Sequence, residues 1–566
     1  ERDITSTQAF VEFDRSLHFE RFDSDRDVQS IITATAHVVP EDMPARPLEL
    51  CSFDVVAIAA EGLPGLDGKQ MTALVQWVDA GGSLLVMPGA GLEPSHVRFL
   101  NELIKAGPDQ PPFALGKGGG LDDASPGETP VLVRKSLGRV AVVRADETPI
   151  DYDSDAWRRL VWFLWKYRQE HLAAILLDGE WADQAPNTVQ AGQPWRPRAA
   201  SGAWLLDRLL PESVAVVPLT TIAIILGLYV VVVGPVDYFV LGWLRLRKLT
   251  WIVFPIVTLA FAGYLVWLSN ESLRSQDAAR AAVFLDVGDE GQIVRANRIK
   301  LHFLNSPQTV ETDLENELLS PLDHRDFGAS LDHLRDEAAA AGVALQDQTP
   351  QDMRSSGLEY DARQDRLVGP PTFTGRVPGR FTATQHIPQW TPQLNRRFQI
   401  RPEGYDVQFS WDRFEGRRLT ESVRSQSVAA AEETWGEAVK VYFTSPNGAY
   451  VGNEYAIDLD RLSNYGFDGQ PDWNLRSYAV DEDGNVNPLK AKELSFLAFL
   501  ASTCRRRDVG RFDSLVSQIS PTGGRDFEDL TLLDPSRPND WVMIVAVPRE
   551  NDVWIYRKLY TVDEER

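Results

Sequence analysis

Cysteine is scarce: Cys51 and Cys504 are the only two in 566 residues. That excludes a disulfide-stapled scaffold and a zinc module built on cysteine. Positive charge is also short, with 57 Lys and Arg against 81 Asp and Glu and a net charge of −24, so no nucleic-acid partner is expected. The eight His show no HExxH or His-x-His spacing, and no metal or cofactor motif appears. No internal repeat is found. What the chain does have is a hydrophobic fraction of 43% and an aromatic fraction of 10%, including 16 Trp, enough to fill sizeable cores. Its length calls for two or three domains.

Two stretches carry no charge, Val214 to Gly234 (VAVVPLTTIAIILGLYVVVVG) and Leu249 to Ser269 (LTWIVFPIVTLAFAGYLVWLS). At about 1.5 Å per residue each reaches about 31 Å, the thickness of bilayer hydrocarbon, so both are expected to cross as transmembrane helices. Between them, residues 235–248 form a short hairpin connection with Pro235 at its start and Tyr238, Phe239 and Trp243 suited to the interface. Arg245, Arg247 and Lys248 assign that loop to the cytoplasm by the positive-inside bias, which places residues 1–200 and 270–566 outside it, with 201–213 as a juxtamembrane segment. Asp237 suits the interface better than an intramembrane role. A start at Glu1 fits removal of a secretory signal peptide and equally a trimmed chain.

Residues 53–60 (FDVVAIAA) predict a strand buried on both faces. After a turn with Gly62, Pro64 and Gly65, Asp67 is placed to cap a helix with Gln70 three positions on. Met71, Leu74, Val75 and Val78 share one face of it. Gly81 and Gly82 end that helix, residues 83–87 predict the next strand, and Val97, Leu100, Leu103 and Ile104 mark the next helix. Strands over 131–133 and 140–143 and a helical stripe of Trp157, Leu160, Val161 and Leu164 complete an α/β, doubly wound pattern.

The string FDVVAIAAEGLPGLDGKQMTALVQWVDAGGSLLVMPG resembles the core of class I glutamine amidotransferase-like domains, flavodoxin-like in architecture, including the ThuA-like branch. LGRVAVVRADETPIDYDSDAWRRLVWFLWKY is similar to the closing strand and helix of that domain in bacterial membrane proteins found beside MoxR-type AAA+ ATPases and von Willebrand A proteins. LLPESVAVVPLTTIAIILGLYVVVVGPVDYFVL and LTWIVFPI resemble their membrane hairpin. The resemblance covers roughly residues 30 to 270 and implies a bacterial inner-membrane, multi-pass protein with periplasmic domains. It does not carry the chemistry with it. Amidotransfer needs a thiolate on the strand-to-helix elbow with a His and a carboxylate behind it, whereas here the elbow is Met87-Pro88-Gly89-Ala90-Gly91. Cys51 precedes a strand and is expected to be a small buried side chain, and His96 a surface residue at a helix start. No catalytic residue and no cofactor is therefore assigned, and the chain is expected to be a pseudoenzyme.

Asp151, Asp153 and Asp155 alternate as in a calcium loop, but Ala156 and Trp162 stand where Gly and Glu are required, so a helix N-terminus is expected. Gly118-Gly119-Gly120 lacks the ending of a phosphate loop and is expected to be a flexible loop, and residues 481–484 an acidic turn. Beyond the membrane segment, alternation over 281–287, 292–304, 438–444, 542–547 and 553–559 predicts a C-terminal β-rich domain, with helices inserted near 332–342 and 489–503. Trp390, Phe409 and Trp411 are expected in its core before any role in stacking on a sugar or peptide, and Arg505 to Arg507 at a solvated helix end. The functional expectation is a non-catalytic, membrane-anchored scaffold joining other membrane or envelope proteins as a hetero- or homo-oligomer. A second is an extracytoplasmic sensor for a carbohydrate or peptide, using the crevice at the strand ends lined by Glu61, Gly62, Pro64, Pro88, Gly89 and Gly91. A hydrolase with an unusual site is third.

Overall fold

The computed structural model describes, besides isolated positions, residues 36–144 except 108–109 and 123–129, residues 155–164, 219–233 and 254–264, and most of 280–322, 371–457 and 532–562. An N-terminal antiparallel pair, β1 (Phe19–Asp23) and β2 (Arg26–Ile31), is also described. The protein is mixed α/β with several sheets.

In the first unit β3 (Val55–Ile58), α1 (Gly68–Asp79), β4 (Ser83–Val86), α2 (Pro94–Leu103), β5 (Val131–Lys135), β6 (Gly138–Val142) and α3 (Asp155–Leu164) follow one another. The sheet order is β3-β4-β6-β5, with β3, β4 and β6 parallel and β5 antiparallel to β6. α1 starts where the capping signal lies: the Asp67 carboxylate accepts from the Lys69 and Gln70 amides, and Gln70 Oε1 accepts from the Asp67 amide, each at 2.8 Å. Its apolar face joins α2 in one core with Leu84, Val86 and Val140, while Trp157, Leu160, Val161 and Leu164 of α3 cover Leu85 and Ala141 on the opposite face. Helices on both faces are what a parallel sheet needs to bury its apolar runs. The strand expected buried on both sides is instead an edge among the described residues: β3 pairs there with β4 alone, and Ala57 is exposed. At Gly138 a methyl group would sit 2.0 Å from the Val78 carbonyl oxygen, so only glycine lets β6 pass under α1.

The second unit is a nine-stranded sheet, β10-β13-β8-β7-β18-β17-β14-β15-β16. Its centre is β7 (Ala281–Val287), β8 (Ile293–His302), β17 (Trp541–Pro548) and β18 (Asp552–Tyr560), flanked by β10 (Leu318–Leu322), β13 (Gln393–Ile400), β14 (Lys440–Ser445), β15 (Gly448–Val451) and β16 (Tyr455–Ile457). The β7–β8 hairpin expected from alternation is present, yet β7 also pairs parallel with β18 from the far end of the chain. A smaller sheet, β11-β12-β9, joins Thr372–Gly375, Arg380–Ile387 and Gln308–Glu315. Aromatics fill the main core: Trp411, Trp435 and Tyr556 cluster, Trp541 stacks on Tyr560 at 4.3 Å, and α5 (Glu421–Trp435) packs alongside. Trp411 and Phe409 are buried there, not presented to a ligand, while Trp390 lies outside the described residues. Burial of such side chains supplies about 1.5–3 kcal/mol each. Phe496, Leu497 and Leu500 of the helix expected near 489–503 are buried; the helix expected near 332–342 and the Arg505–Arg507 run lie outside the described residues.

Between the units lie α4 (Leu219–Val231) and a second helical stretch, residues 254–264. Among the described residues no helix is long and apolar enough to cross a membrane; α4 has 13 residues, the centre of the expected span 214–234. Arg245, Arg247, Lys248 and Asp237 lie outside the described residues. The two stretches pack on each other: the Tyr229 ring meets Phe261 at 5.3 Å, and its hydroxyl lies 3.1 Å from Thr258 Oγ1. Ile225 is buried, while most of their other apolar side chains point away, with Ile224 71% and Leu259 73% exposed.

The two larger units touch directly. The C-terminal end of α1 carries carbonyls without helical partners and the negative end of the helix dipole. Arg295 of β8 donates to Ala80 O at 3.0 Å, and Arg401 Nη2 meets the buried Asp79 carboxylate at 2.7 Å. Beside them Asp289 accepts from the Ser136 amide at 2.7 Å and pairs with Lys105.

Candidate functional site

At the strand C-ends the turn after β3 meets the turn after β4. The structure brings Pro64 to Gly91, where a methyl on Gly91 would lie 3.7 Å from the Pro64 ring, and Gly89 to Ala60, where one on Gly89 would lie 2.7 Å away. Gly91 has φ +80, a conformation that favours glycine. A third element enters that was not expected there. The 116–120 loop closes on itself through Gly116 N to Gly120 O at 2.8 Å, and Gly119 O accepts from the Leu92 amide at 2.7 Å. Gly119 then lies against Gly91 and Gly120 against the Gly89 carbonyl. The glycine triplet is thus a plug of backbone over the crevice, ordered by these bonds, instead of a flexible loop. Pro88 is buried beneath it, while Glu61 and Gly91 are exposed at the rim.

Among the described residues no Cys, Ser or His nucleophile is brought to this place, and Glu61 is the carboxylate at its rim. His96 is 3% exposed, contrary to the surface position expected, because its Nδ1 accepts from the Glu93 amide at 3.0 Å and so caps α2. Cys51 is half-buried, packed against the α/β core, with its thiol 3.7 Å from Pro47 O. Asp155 is the first residue of α3; Asp151, Asp153 and residues 481–484 lie outside the described residues. Among the described residues no group of three or more His, Cys, Asp and Glu side chains converges as a metal would require.

The charged chemistry lies on β8 instead, and alternation splits it between two faces. On one face Asp286 is fully buried between Arg557, whose Nε and Nη2 donate to its two oxygens at 2.7 and 2.9 Å, and Arg295, whose Nε donates at 2.5 Å. Arg557 also reaches the Thr503 carbonyl at 3.4 Å and stacks over Phe284. Burial raises the Cys504 thiol next to it, against the opposing effect of Arg557. Such a cluster tolerates burial because each charge is paired and hydrogen-bonded.

No family model, curated protein or solved structure matches the chain.

On the other face of β8, Arg298 stands opposite Arg397, Lys300 opposite Asn395 and His302 opposite Gln393. Arg298 Nη2 pairs with Asp552 at 3.0 Å, and Arg397 Nε lies 3.7 Å from Glu317. Lys300 makes no hydrogen bond or ion pair among the described residues; burial, then Arg298 and Arg397, push its ammonium down, with Asp552 opposing. Burial, with Lys300 and Arg397, lowers His302 to about 4, so its imidazole is neutral at pH 7. At the junction burial would raise Asp289, but Lys105, the Ser136 amide and Lys558 hold its carboxyl below the usual range. Neither face was visible beforehand. The strand pattern could have flagged Arg295, Arg298 and Lys300 as charges inside a strand that must be half-buried, but not which partners meet them.

Proposed function

We propose that this chain is a non-catalytic, membrane-anchored scaffold of a bacterial envelope assembly, with both large units on the extracytoplasmic side of a two-helix hairpin. The observation that carries this reading is the helix pair. α4 and residues 254–264 meet through a polar contact, Tyr229 to Thr258, and turn Ile224, Leu226, Leu228, Ile256 and Leu259 outward. Water penalises such a surface and lipid does not. The direct contact between the flanking units supports an even number of crossings, since both must then lie on one side of the bilayer. A degenerate class I glutamine amidotransferase-like fold for the first unit, and partners of the MoxR-type ATPase and von Willebrand A kind, remain part of this proposal. The closed crevice, lacking a nucleophile, favours assembly over catalysis.

Mild-detergent extraction from native membranes, followed by size analysis and mass spectrometry of what co-purifies, tests the scaffold. A stoichiometric assembly is expected; a lone chain of 63.3 kDa would count against it. A reporter fused at Leu246 tests orientation, with a cytoplasmic signal expected.

A further inference from the structure

We propose that the Arg298–Lys300–Arg397 face is a binding site for a phosphate-type anion, and that the headgroup of an anionic lipid supplies it. Three cations meet two carboxylates here, and each carboxylate already faces one guanidinium. Asp552 accepts from the Ala281 amide at 3.1 Å and from Arg298, and Glu317 accepts from Gln399 at 2.7 Å beside Arg397. One positive charge is left over, and it is Lys300, half-buried between two guanidinium groups. Arg298 adds a second donor, since its Nε is buried with no hydrogen-bond partner among the described residues. Neutral His302 neither adds to nor cancels the charge. Unpaired cations half-removed from water are costly unless an anion completes them. The available donors point from different side chains, one a rigid guanidinium edge and one a rotatable ammonium, which suits a tetrahedral oxyanion with acceptors in several directions better than a planar carboxylate.

The position in the fold names the source. Lys300 lies directly across from Ala281, the first residue of β7, so the cluster sits at the end of the sheet where the chain arrives shortly after Ser269. In a chain of net charge −24, an unneutralised basic spot at that end attracts an anionic membrane surface that the rest of the protein repels. Only the lipid source rests on the membrane reading; the anion site does not.

The test uses the full chain purified in an uncharged detergent, titrated separately with inorganic phosphate and with dihexanoyl-phosphatidylglycerol at fixed ionic strength. Wild type should gain thermal stability with either. Lys300→Gln should weaken binding by about tenfold, the loss of one charge-assisted contact. Arg298→Lys, which keeps the charge and loses the Nε donor, should weaken it several-fold. The Lys300→Gln protein without anion should melt no lower than wild type, which controls for folding. Tighter binding of the phosphatidylglycerol confirms the lipid source, and tighter binding of phosphate keeps the site but reassigns it to a free anion. No stabilisation by either, or equal stabilisation of wild type and Lys300→Gln, would overturn the site. Alkaline carbonate extraction of membranes tests the anchor independently: release of the chain sinks the membrane reading and leaves the phosphate titration to be judged alone.

Discussion

β8 presents the same chemistry twice, with opposite outcomes. On one face Arg295 and its neighbour Arg557 converge on Asp286, both donating to its carboxylate inside the core, and Arg295 reaches the Ala80 carbonyl as well. On the other, Arg298, Lys300 and Arg397 share two carboxylates and leave Lys300 without one. The first arrangement locks strands β7, β8 and β18 to one another and, through Ala80, to the α/β unit. The second gives little stability and retains the capacity to accept something from outside. Basic residues in a strand are therefore structural or receptive according to whether their partners come from the same chain.

Breaking the paired face should have the largest effect. Asp286→Asn leaves two buried guanidinium groups without their carboxylate and should cost about 3–5 kcal/mol, measured as a shift in the denaturant midpoint. A loss under about 1 kcal/mol would mean that the core relaxes to admit water.

Acid should act next, through His302. Its folded pKa of about 4 lies below the ordinary histidine value of 6.5, so the unfolded chain binds the extra proton first. Stability from this neutral imidazole is complete above pH 6.5 and declines as the pH falls toward 4, by up to about 3 kcal/mol. His302→Gln should flatten that part of the stability–pH curve. Parallel curves for the two proteins would show that another group is responsible.

A smaller effect is expected at the junction. Arg401→Gln removes the closest cation from Asp79 but leaves Lys135 at 3.8 Å, so a loss of about 1 kcal/mol in unit–unit docking is expected. Increased cleavage between the units by a limiting protease would report it.

The smallest change sharpens the comparison. Lys300→Gln should leave stability within about 0.5 kcal/mol of wild type or raise it, because no pair is broken. A loss comparable to that of Asp286→Asn would erase the distinction between the two faces.

Much of this fold was legible locally. The Asp67 and Gln70 spacing announced the start of α1, alternation announced β7 and β8, and Phe409 and Trp411 fell in the core. Each rests on neighbours in sequence, where periodicity and capping leave a signature. Ala57 was misplaced because the sequence cannot say whether an apolar run is central or an edge. His96 was misplaced because a polar ring can be buried once a backbone amide satisfies it. Pro64 and Gly91 do stand side by side, but Gly119 and Gly120, which pack against Gly91 and Gly89, come from a loop with no periodic link to them.

By itself the sequence determined the kinds of element, the acidic balance, the absence of a nucleophile at the elbow and the two uncharged apolar stretches, all properties of composition and short-range pattern. Tertiary structure alone decided that β7 pairs with β18, that Arg557 meets Asp286 across 271 positions, and that among the described residues Lys300 makes no ion pair. Contacts between distant residues are fixed by how whole sheets pack and in what register, and a charge shows no sign in the sequence of whether packing will bring it a partner.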